Sequence, residues 1–267
     1  MVFEQIANGG CQSYLVGCEQ THAALVIDPA EPQIDHYLGL AARHGLRLHY
    51  VADTHTHADH FSGSRAMSQL LSIPVVMHRA APAPYAAFRL GHGEILRVGN
   101  LRLQALHTPG HTADSMCLLA TDHIFTGDTL LIGGTGRTDL PTGDPEALHA
   151  SLFDVLLTLP DETLVFPAHD YQGRSHSTIG AERAGNPRLQ KTSRDAFVAM
   201  MRQLNLAAPH PSDRGAAHQY QRRQDDRGIA GGSGRPGAVH VAGRPANPRH
   251  AGRTRPCAAR CARTRCL

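Results

Sequence analysis

The sequence predicts an α/β fold in which two mixed sheets are covered by helices. Short apolar runs that end at turn residues indicate strands, and apolar residues at helical spacing indicate helices between some of them. Some strands follow one another as in hairpins, and others are separated by a helix as in parallel β-α-β units. Residues of the type that binds metals stand where several strands end, which is where layered α/β folds place their chemistry.

Four strands and two helices are predicted in the first part of the chain. The strands are 13–17, 23–29, 46–54 and 73–78, of which the first two form a hairpin. A helix is predicted over 32–46, since its apolar residues share one helical face and Gly45 suits a helix end. A second helix is predicted over 63–71, directly after a segment rich in histidine.

The second part of the chain continues the same alternation. Its predicted strands are 101–110, 115–120, 123–131 and 163–170. An amphipathic helix is predicted over 144–160, with Pro145 in the first turn and Pro160 beyond the end. A final helix is predicted over 193–205.

Charge divides the chain into a body and a basic tail. Residues 1–211 contain 14 Lys and Arg against 20 Asp and Glu, whereas residues 212–267 contain 12 Arg against 3 Asp. The net charge of +3 therefore reflects the tail and does not predict nucleic-acid binding by the body. The tail has few large aliphatic residues and cannot offset the entropy of ordering. We predict a folded domain over 1–208 and an Arg/Gly/Pro-rich tail over 209–267 that is disordered or derived from a frameshift.

The sequence predicts a cytoplasmic protein. Its six cysteines show no regular spacing, which is typical of reduced thiols. The first residues lack a basic segment followed by an apolar one, as a secretion signal would have. No apolar run approaches the ~20 residues that span a bilayer, so no membrane partner is expected.

A dense group of metal-ligand residues lies in ADTHTHADHFSG, residues 52–63. His55, His57, Asp59 and His60 carry imidazole and carboxylate groups, which are common ligands of zinc and iron. Three further candidates, each close to the end of a predicted strand, are His111, Asp128 and His169. Each of these alone is more typical of a structural residue, but their joint occurrence predicts a metal site.

The joint pattern resembles the metallo-β-lactamase superfamily over about residues 2–208: THTHADH, a downstream His, the Asp of GD and a final AHD. Three longer strings, FTGDTLLIGGTGRTDLPTGD, FPAHDYQG and ERAGNPRL, are similar to the persulfide dioxygenase branch of that superfamily. The resemblance implies an αββα sandwich of two mixed sheets flanked by helices, with residues 1–208 as the catalytic domain. It also implies a non-haem iron dioxygenase.

The seven candidate ligands fit two different metal sites. In the dioxygenase arrangement that the resemblance implies, one Fe(II) per chain is held by His55, His111 and Asp128. The groups that orient these ligands, bind water and tune the metal are then His57, Asp59, His60, His169 and Asp170. In the hydrolase arrangement, two zinc ions are held, one by His55, His57 and His111 and the other by Asp59, His60 and His169, with Asp128 between them. The spacing alone is compatible with both.

The resemblance also implies a substrate and partners. Glutathione persulfide and O2 would be the reactants, and Arg137, Tyr171 and Arg188 are the positions implied for substrate binding, since arginine forks suit carboxylates. A homodimer is expected, without nucleic acid or membrane. A thioester hydrolase similar to glyoxalase II is the alternative, but the predicted body ends after one short helix, where those enzymes have a helical domain. An inactive metal-binding member of the superfamily is the second alternative.

Overall fold

The computed structural model describes residues 1–204. Its first sheet contains six strands that lie side by side in chain order: β1 (Val2–Asn8), β2 (Cys11–Gly17), β3 (Ala23–Ile27), β4 (Arg47–Ala52), β5 (Val75–His78) and β6 (Phe88–Leu90). The first three are antiparallel, and β3 to β6 are parallel. The sheet is therefore mixed, as predicted.

The remaining strands are β7 (Ile95–Val98), β8 (Leu101–His107), β9 (Met116–Ala120), β10 (His123–Gly127), β11 (Leu130–Leu131), β12 (Gly134–Thr135), β13 (Leu164–Pro167) and β14 (Ser177–Thr178). Strands β11 and β12 pair only with each other. The other six form a second sheet in the order β14-β13-β10-β9-β8-β7, in which only the β10–β13 pair is parallel. This sheet is also mixed.

Five helices cover the two sheets in the described residues: α1 (Ile34–Arg43), α2 (Ser64–Leu71), α3 (Pro145–Ala150), α4 (Ile179–Gly185) and α5 (Arg194–Gln203). Buried residues between the sheets, among them Tyr14, Phe125 and Phe166, form one core. A second core lies between the first sheet and helices α1 and α2, and a third between the second sheet and helices α3 to α5. The layers are thus helix, sheet, sheet, helix, which confirms the predicted αββα sandwich.

The direction of the strands places the candidate ligand residues at one edge of the sandwich. The carboxyl ends of β3, β4 and β5 meet at one edge of the first sheet because these strands are parallel. Strands β8, β10 and β13 likewise run in one direction, since β9 is antiparallel to both β8 and β10. The candidate ligands follow β4, β8, β10 and β13, so one edge can collect residues that are far apart in sequence.

Most of the predicted elements are confirmed. The hairpin forms from β2 and β3, Gly45 follows α1 with a φ of +62°, and Pro145 occupies the first turn of α3. The predicted helix over 144–160 is wrong in one respect: α3 ends at Ala150 and continues as a π turn to Val155 and a 3-10 turn to Thr158.

Among residues 1–204, six elements were not predicted, namely β1, β6, β7, β12, β14 and α4. The predicted tail, 209–267, lies outside the described residues, as does the boundary at 208. Within residues 1–204, none of the helices has both the length and the apolar character needed to cross a bilayer.

Candidate metal centre

Metal-ligand residues converge into three groups at the edge where the strands end. The groups are His55, His111 and Asp128; Cys11, Asp59, His60 and His169; and Asp28, Asp53 and His57. Within each group the candidate ligand atoms all lie within 4.8 Å of one another. All seven predicted ligand candidates are brought together here, and three residues join them that the sequence did not single out: Cys11, Asp28 and Asp53.

The first group directs two imidazoles and one carboxylate at a common point. Nε2 of His111 lies 3.5 Å from Oδ2 of Asp128, and Nε2 of His55 lies 4.0 Å from the same oxygen. All three side chains are buried. Nε2 of His55 has no hydrogen-bond partner although it is fully enclosed. A buried acceptor of this kind is costly unless something binds it, so the residues fit a metal ion.

Hydrogen bonds fix which nitrogen of each imidazole faces the common point. The hydroxyl of Thr54 donates its only proton to Asp28 (2.8 Å), so it accepts from Nδ1 of His55 (3.0 Å). The carbonyl of Arg137 can only accept, so Nδ1 of His111 donates to it (2.9 Å). In both rings the proton is on Nδ1, and the lone pair on Nε2 is free to bind a metal.

Two glycines allow the ligands to approach. Gly127, with a φ of +53°, precedes Asp128, and a Cβ atom at Gly127 would lie 2.5 Å from the Thr54 hydroxyl. A Cβ atom at Gly136 would lie 2.0 Å from the Asp128 carbonyl and 3.0 Å from the His111 side chain. A larger residue at either position would displace a ligand.

Hydrogen bonds from the segment ERAGNPRL stabilise the loop that carries Gly136. Glu182 accepts from the Gly133 amide (2.8 Å), and the Asn186 amide donates to the Gly134 carbonyl (2.9 Å). Arg188 donates to the carbonyl of Thr135 (3.2 Å). These contacts fix the position of the loop whose Arg137 carbonyl accepts the hydrogen bond from His111.

His57 belongs to a separate group although it is two residues from His55. Its Nε2 donates to Oδ1 of Asp28 (3.2 Å) and lies 3.8 Å from Oδ1 of Asp53. Nδ1 of His57 is buried and has no hydrogen-bond partner. The ring centroids of His55 and His57 are 4.2 Å apart. His57 therefore contacts the first group but is not one of its ligand residues.

His169 links the first group to the second. Its Nδ1 donates to Oδ1 of Asp128 (2.6 Å), and its Nε2 contacts Oδ2 of Asp59 (2.5 Å). The Cys11 thiol lies 3.4 Å from the same Nε2. Asp170 is adjacent in sequence but is engaged elsewhere, since its carboxylate binds Arg174 (2.9 Å) and two backbone amides. The structure therefore does not bring Asp170 into any of the three groups.

The electrostatics of the site favour positive charge. Burial opposes ionisation of the carboxylates, yet the neighbouring imidazoles hold the pKa of Asp128 and of Asp59 well below the usual range. The pKa of His60 is raised to about 10 against its own burial, because Asp59 lies beside it. Burial and the nearby His57 lower the pKa of His55, which keeps that ring neutral. A neutral imidazole beside ionised carboxylates is the donor state that a cation requires.

The three residues expected to bind substrate lie around this centre in different settings. Arg137 pairs through Nε and Nη2 with the two oxygens of Asp139 (2.6 Å each). Arg188 is half-buried, and within residues 1–204 its guanidinium contacts Thr135 and the sulfur of Met201. Tyr171 is 77% exposed, and its ring stacks near His169 at a centroid distance of 5.9 Å.

Sequence comparison identifies the family of the chain and several relatives. The family model of the metallo-beta-lactamase superfamily matches residues 7–169. "Persulfide dioxygenase ETHE1, mitochondrial" of Homo sapiens is 39% identical over 204 residues, which cover 75% of this chain and 80% of the human protein. "Probable hydroxyacylglutathione hydrolase glo2" of Schizosaccharomyces pombe is 33% identical over 190 residues, covering 68% and 72% of the two chains.

Structural comparison also finds an ETHE1 protein and a metallo-beta-lactamase. The crystal structure of ETHE1 from Myxococcus xanthus superposes with a TM-score of 0.79 at 42% identity, covering 82% of this chain and 98% of that one. A metallo-beta-lactamase from Staphylococcus aureus gives a TM-score of 0.72 at 28% identity.

Proposed function

Because the chain belongs to the metallo-β-lactamase superfamily and to its persulfide dioxygenase branch, we propose that it is an iron-dependent dioxygenase that oxidises glutathione persulfide. The reaction is GSSH + O2 + H2O → GSH + sulfite, with release of two protons. The observation that carries this proposal is the buried convergence of His55, His111 and Asp128, each with its other polar atom already hydrogen-bonded.

The proposed iron ligands are His55 and His111 through Nε2 and Asp128 through Oδ2. Two imidazoles and one carboxylate form the ligand set of mononuclear non-haem Fe(II) oxygenases, and three protein ligands leave positions open for reactants. Electron transfer between a closed-shell persulfide and ground-state O2 is the chemistry that bound Fe(II) supplies. One carboxylate against a divalent cation leaves a net positive charge, which favours an anionic persulfide.

The chain's own residues would orient the substrate. Within residues 1–204, Arg188 pairs with no carboxylate, and burial lowers its pKa. A half-buried guanidinium without a counter-ion would gain most from a substrate carboxylate, and glutathione carries two. Tyr171 borders the site from the solvent side, where its ring would cover the bound tripeptide.

Metal analysis of anaerobically purified protein, combined with O2 uptake on glutathione persulfide, tests this function. We expect one iron per chain and one sulfite formed per O2 consumed. Asp128→Asn should lose both iron and O2 uptake, because it removes the anionic ligand and keeps the size of the side chain. Protein that binds no iron and hydrolyses S-lactoylglutathione would overturn the proposal.

One observation favours a second candidate, a dinuclear hydrolase. Nδ1 of His57 is buried without a partner and belongs to a ring beside His55, so it could complete a three-histidine site with His111. The ligands would then hold two zinc ions, whose positive charge would activate a water for attack on a thioester. The same metal analysis separates the two functions. The hydrolase would contain two zinc ions, one of them bound by His57, whereas the dioxygenase would contain one iron.

The remaining expectations stay predictions. A homodimer and a cytoplasmic location were expected from the sequence, while the human, bovine and mouse relatives are named as mitochondrial proteins.

A further inference from the structure

The tip of the hairpin between β1 and β2 consists of two glycines. Asn8 pairs with Cys11 across the hairpin, so Gly9 and Gly10 form a two-residue turn. Their φ angles are +59° and +97°. A turn of this kind requires positive φ at both positions, which glycine adopts at no steric cost. The turn alone therefore accounts for the choice of glycine, and any further role of either residue must come from its contacts.

Hydrogen bonds attach this tip to the segment that follows β13. The Gly10 carbonyl accepts from the Asp170 amide (2.9 Å), and the Gln12 amide donates to the Ala168 carbonyl (2.7 Å). The tip therefore has a fixed position relative to Tyr171, the next residue of that segment.

The ring of Tyr171 rests directly on the backbone of Gly10. A Cβ atom at Gly10 would lie 2.7 Å from Cδ1 and 2.8 Å from Cε1 of that ring, whereas carbon atoms in van der Waals contact are about 3.5–4.0 Å apart. A Cβ atom at Gly9 would have no neighbour within 4 Å. Both glycines thus suit the turn, but only Gly10 leaves room for the ring.

Contact with Gly10 supports one side of a ring that is otherwise open. Tyr171 is the most exposed of the large apolar side chains in residues 1–204. Its ring is nearly parallel to that of His169, with an angle of 16° between the planes. An aromatic ring held beside the candidate metal centre, with its free face in solvent, can pack against a ligand without first losing rotational freedom.

We propose that Gly10 is a positioning residue that holds the Tyr171 ring where it covers glutathione persulfide. This inference rests on the proposed function, because it concerns how that substrate is bound. A ring that is already in place gives up little conformational entropy when the substrate binds. A methyl group at position 10 would displace the ring into the surrounding solvent, so the cost falls on substrate binding rather than on folding.

Steady-state kinetics of Gly10→Ala and Gly9→Ala test the proposal. We expect KM for glutathione persulfide to rise about 3- to 10-fold in Gly10→Ala, as the loss of an aromatic contact would give, with kcat within about twofold of the wild type. Gly9→Ala also places a methyl group at positive φ in the same turn but meets no ring, so its KM should stay within about twofold of the wild type. Equal KM values for the two variants would overturn the proposal.

A double-mutant cycle separates the ring from the turn. We expect Tyr171→Ala to raise KM to a similar extent, and Gly10→Ala to add nothing further in the Tyr171→Ala background. Additive increases in KM would mean that Gly10 acts independently of Tyr171 and would refute the positioning role.

A tryptophan at position 171 reports on the ring without turnover. The chain contains no tryptophan, so Tyr171→Trp carries a single indole fluorophore. We expect acrylamide to quench this indole more slowly in the native chain than in urea, and faster when Gly10→Ala is added. Equal quenching in the native and the urea-unfolded Tyr171→Trp chain would overturn the contact, even if Gly10→Ala does not fold.

Titration of the Tyr171→Trp chain with glutathione separates this proposal from the dioxygenase function. Glutathione should change the indole fluorescence, with a Kd that is about 3- to 10-fold weaker after Gly10→Ala and unchanged after Gly9→Ala. This response requires neither persulfide nor O2. A chain that shows it but does not oxidise persulfide would support the role of Gly10 in glutathione binding and refute the dioxygenase function. A chain that oxidises persulfide, with the same Kd in both glycine variants, would refute the role of Gly10 alone.

Discussion

His55 and His57 are two residues apart on one loop, yet their nitrogens have different partners. Nδ1 of His55 donates to Thr54, whereas it is Nε2 of His57 that donates, to Asp28. The pKa of Asp28 is lowered in spite of burial, chiefly by His57. Under the proposed iron arrangement, His55 is a ligand and His57 supports the loop.

Alanine at each of these two positions should therefore give different results. We expect His55→Ala to abolish iron binding, since it removes one of three ligands. His57→Ala should keep one iron per chain and lower kcat by about 10- to 100-fold, the usual range for groups that orient a ligand. Iron content and O2 uptake measure both effects. Loss of iron in His57→Ala would contradict the mononuclear arrangement.

The sequence predicted the ligand candidates because each follows a strand and has a metal-binding side chain. Asp28 and Asp53 also follow strands, β3 and β4, so the same rule could have identified them. Cys11 gave no such signal, since it begins a strand and reaches the site only through its pairing with His169. That pairing depends on the relative position of two sheets, which local sequence does not encode.

At the scale of elements, helix α3 supports the turn that carries His111. Asp144 caps the helix by accepting from the amides of Glu146 (2.8 Å) and Ala147 (3.2 Å). Its own amide donates to the Gly110 carbonyl (2.9 Å). A Cβ atom at Gly110, whose φ is +137°, would lie 2.4 Å from Leu148, so helix and turn are in direct contact.

Removal of this cap should destabilise the protein. We expect Asp144→Ala to lower the free energy of unfolding by about 1 kcal/mol, because two amides at the helix start lose their acceptor. Asp144→Ser should recover most of that loss, since serine is also a good cap. Urea denaturation measures both. Equal stabilities of the alanine and serine variants would show that the cap contributes little.

A stacked pair of imidazoles joins β5 of the first sheet to β8 of the second. The rings of His78 and His107 are 3.8 Å apart and nearly parallel. Burial and the His107 ring lower the pKa of His78 from 6.5 to about 4. His78 also accepts from the Ala80 amide at Nδ1 (3.2 Å), which requires the neutral ring.

Lowering the pH should therefore reduce the free energy of unfolding, because the folded state disfavours protonation of His78. Between pH 6.5 and about pH 4 the unfolded chain binds a proton that the folded chain does not, so stability falls as the pH is lowered through this window. We expect the wild type to lose on the order of 1 kcal/mol more than His78→Gln between about pH 7.5 and about pH 5. Denaturation curves at both pH values test this, and equal losses would contradict it.

Prediction of helices and strands succeeded for segments with a long apolar periodicity. It failed for short strands that form only because they pair with a neighbouring strand. Helix α1 and the hairpin of β2 and β3 have clear apolar spacing and turn residues. Strand β6 has three residues and β14 has two, so neither has enough length for a periodic signal. These strands exist because a neighbouring strand offers backbone partners, and only the folded chain contains that information.

At the scale of the whole molecule, the proposed iron site connects the two sheets. His55 follows β4 of the first sheet, whereas Asp128 follows β10 of the second. The group that Cys11 joins spans the same two sheets, since Cys11 lies in β2 and His169 follows β13. An unfolded chain holds these ligands far apart, so a metal ion binds the folded state preferentially.

Metal removal should therefore lower the stability of the entire domain. We expect addition of Fe(II) to the metal-free protein to raise the midpoint of thermal unfolding, by an amount equivalent to about 2.7 kcal/mol when free iron is about 100 times its dissociation constant. Asp128→Asn should show no rise with Fe(II), because an amide does not replace the anionic ligand. Anaerobic calorimetry with and without iron provides the measurement. Unchanged midpoints for the wild type would mean that iron does not bind across the two sheets, whereas an equal rise in Asp128→Asn would place the iron on other ligands.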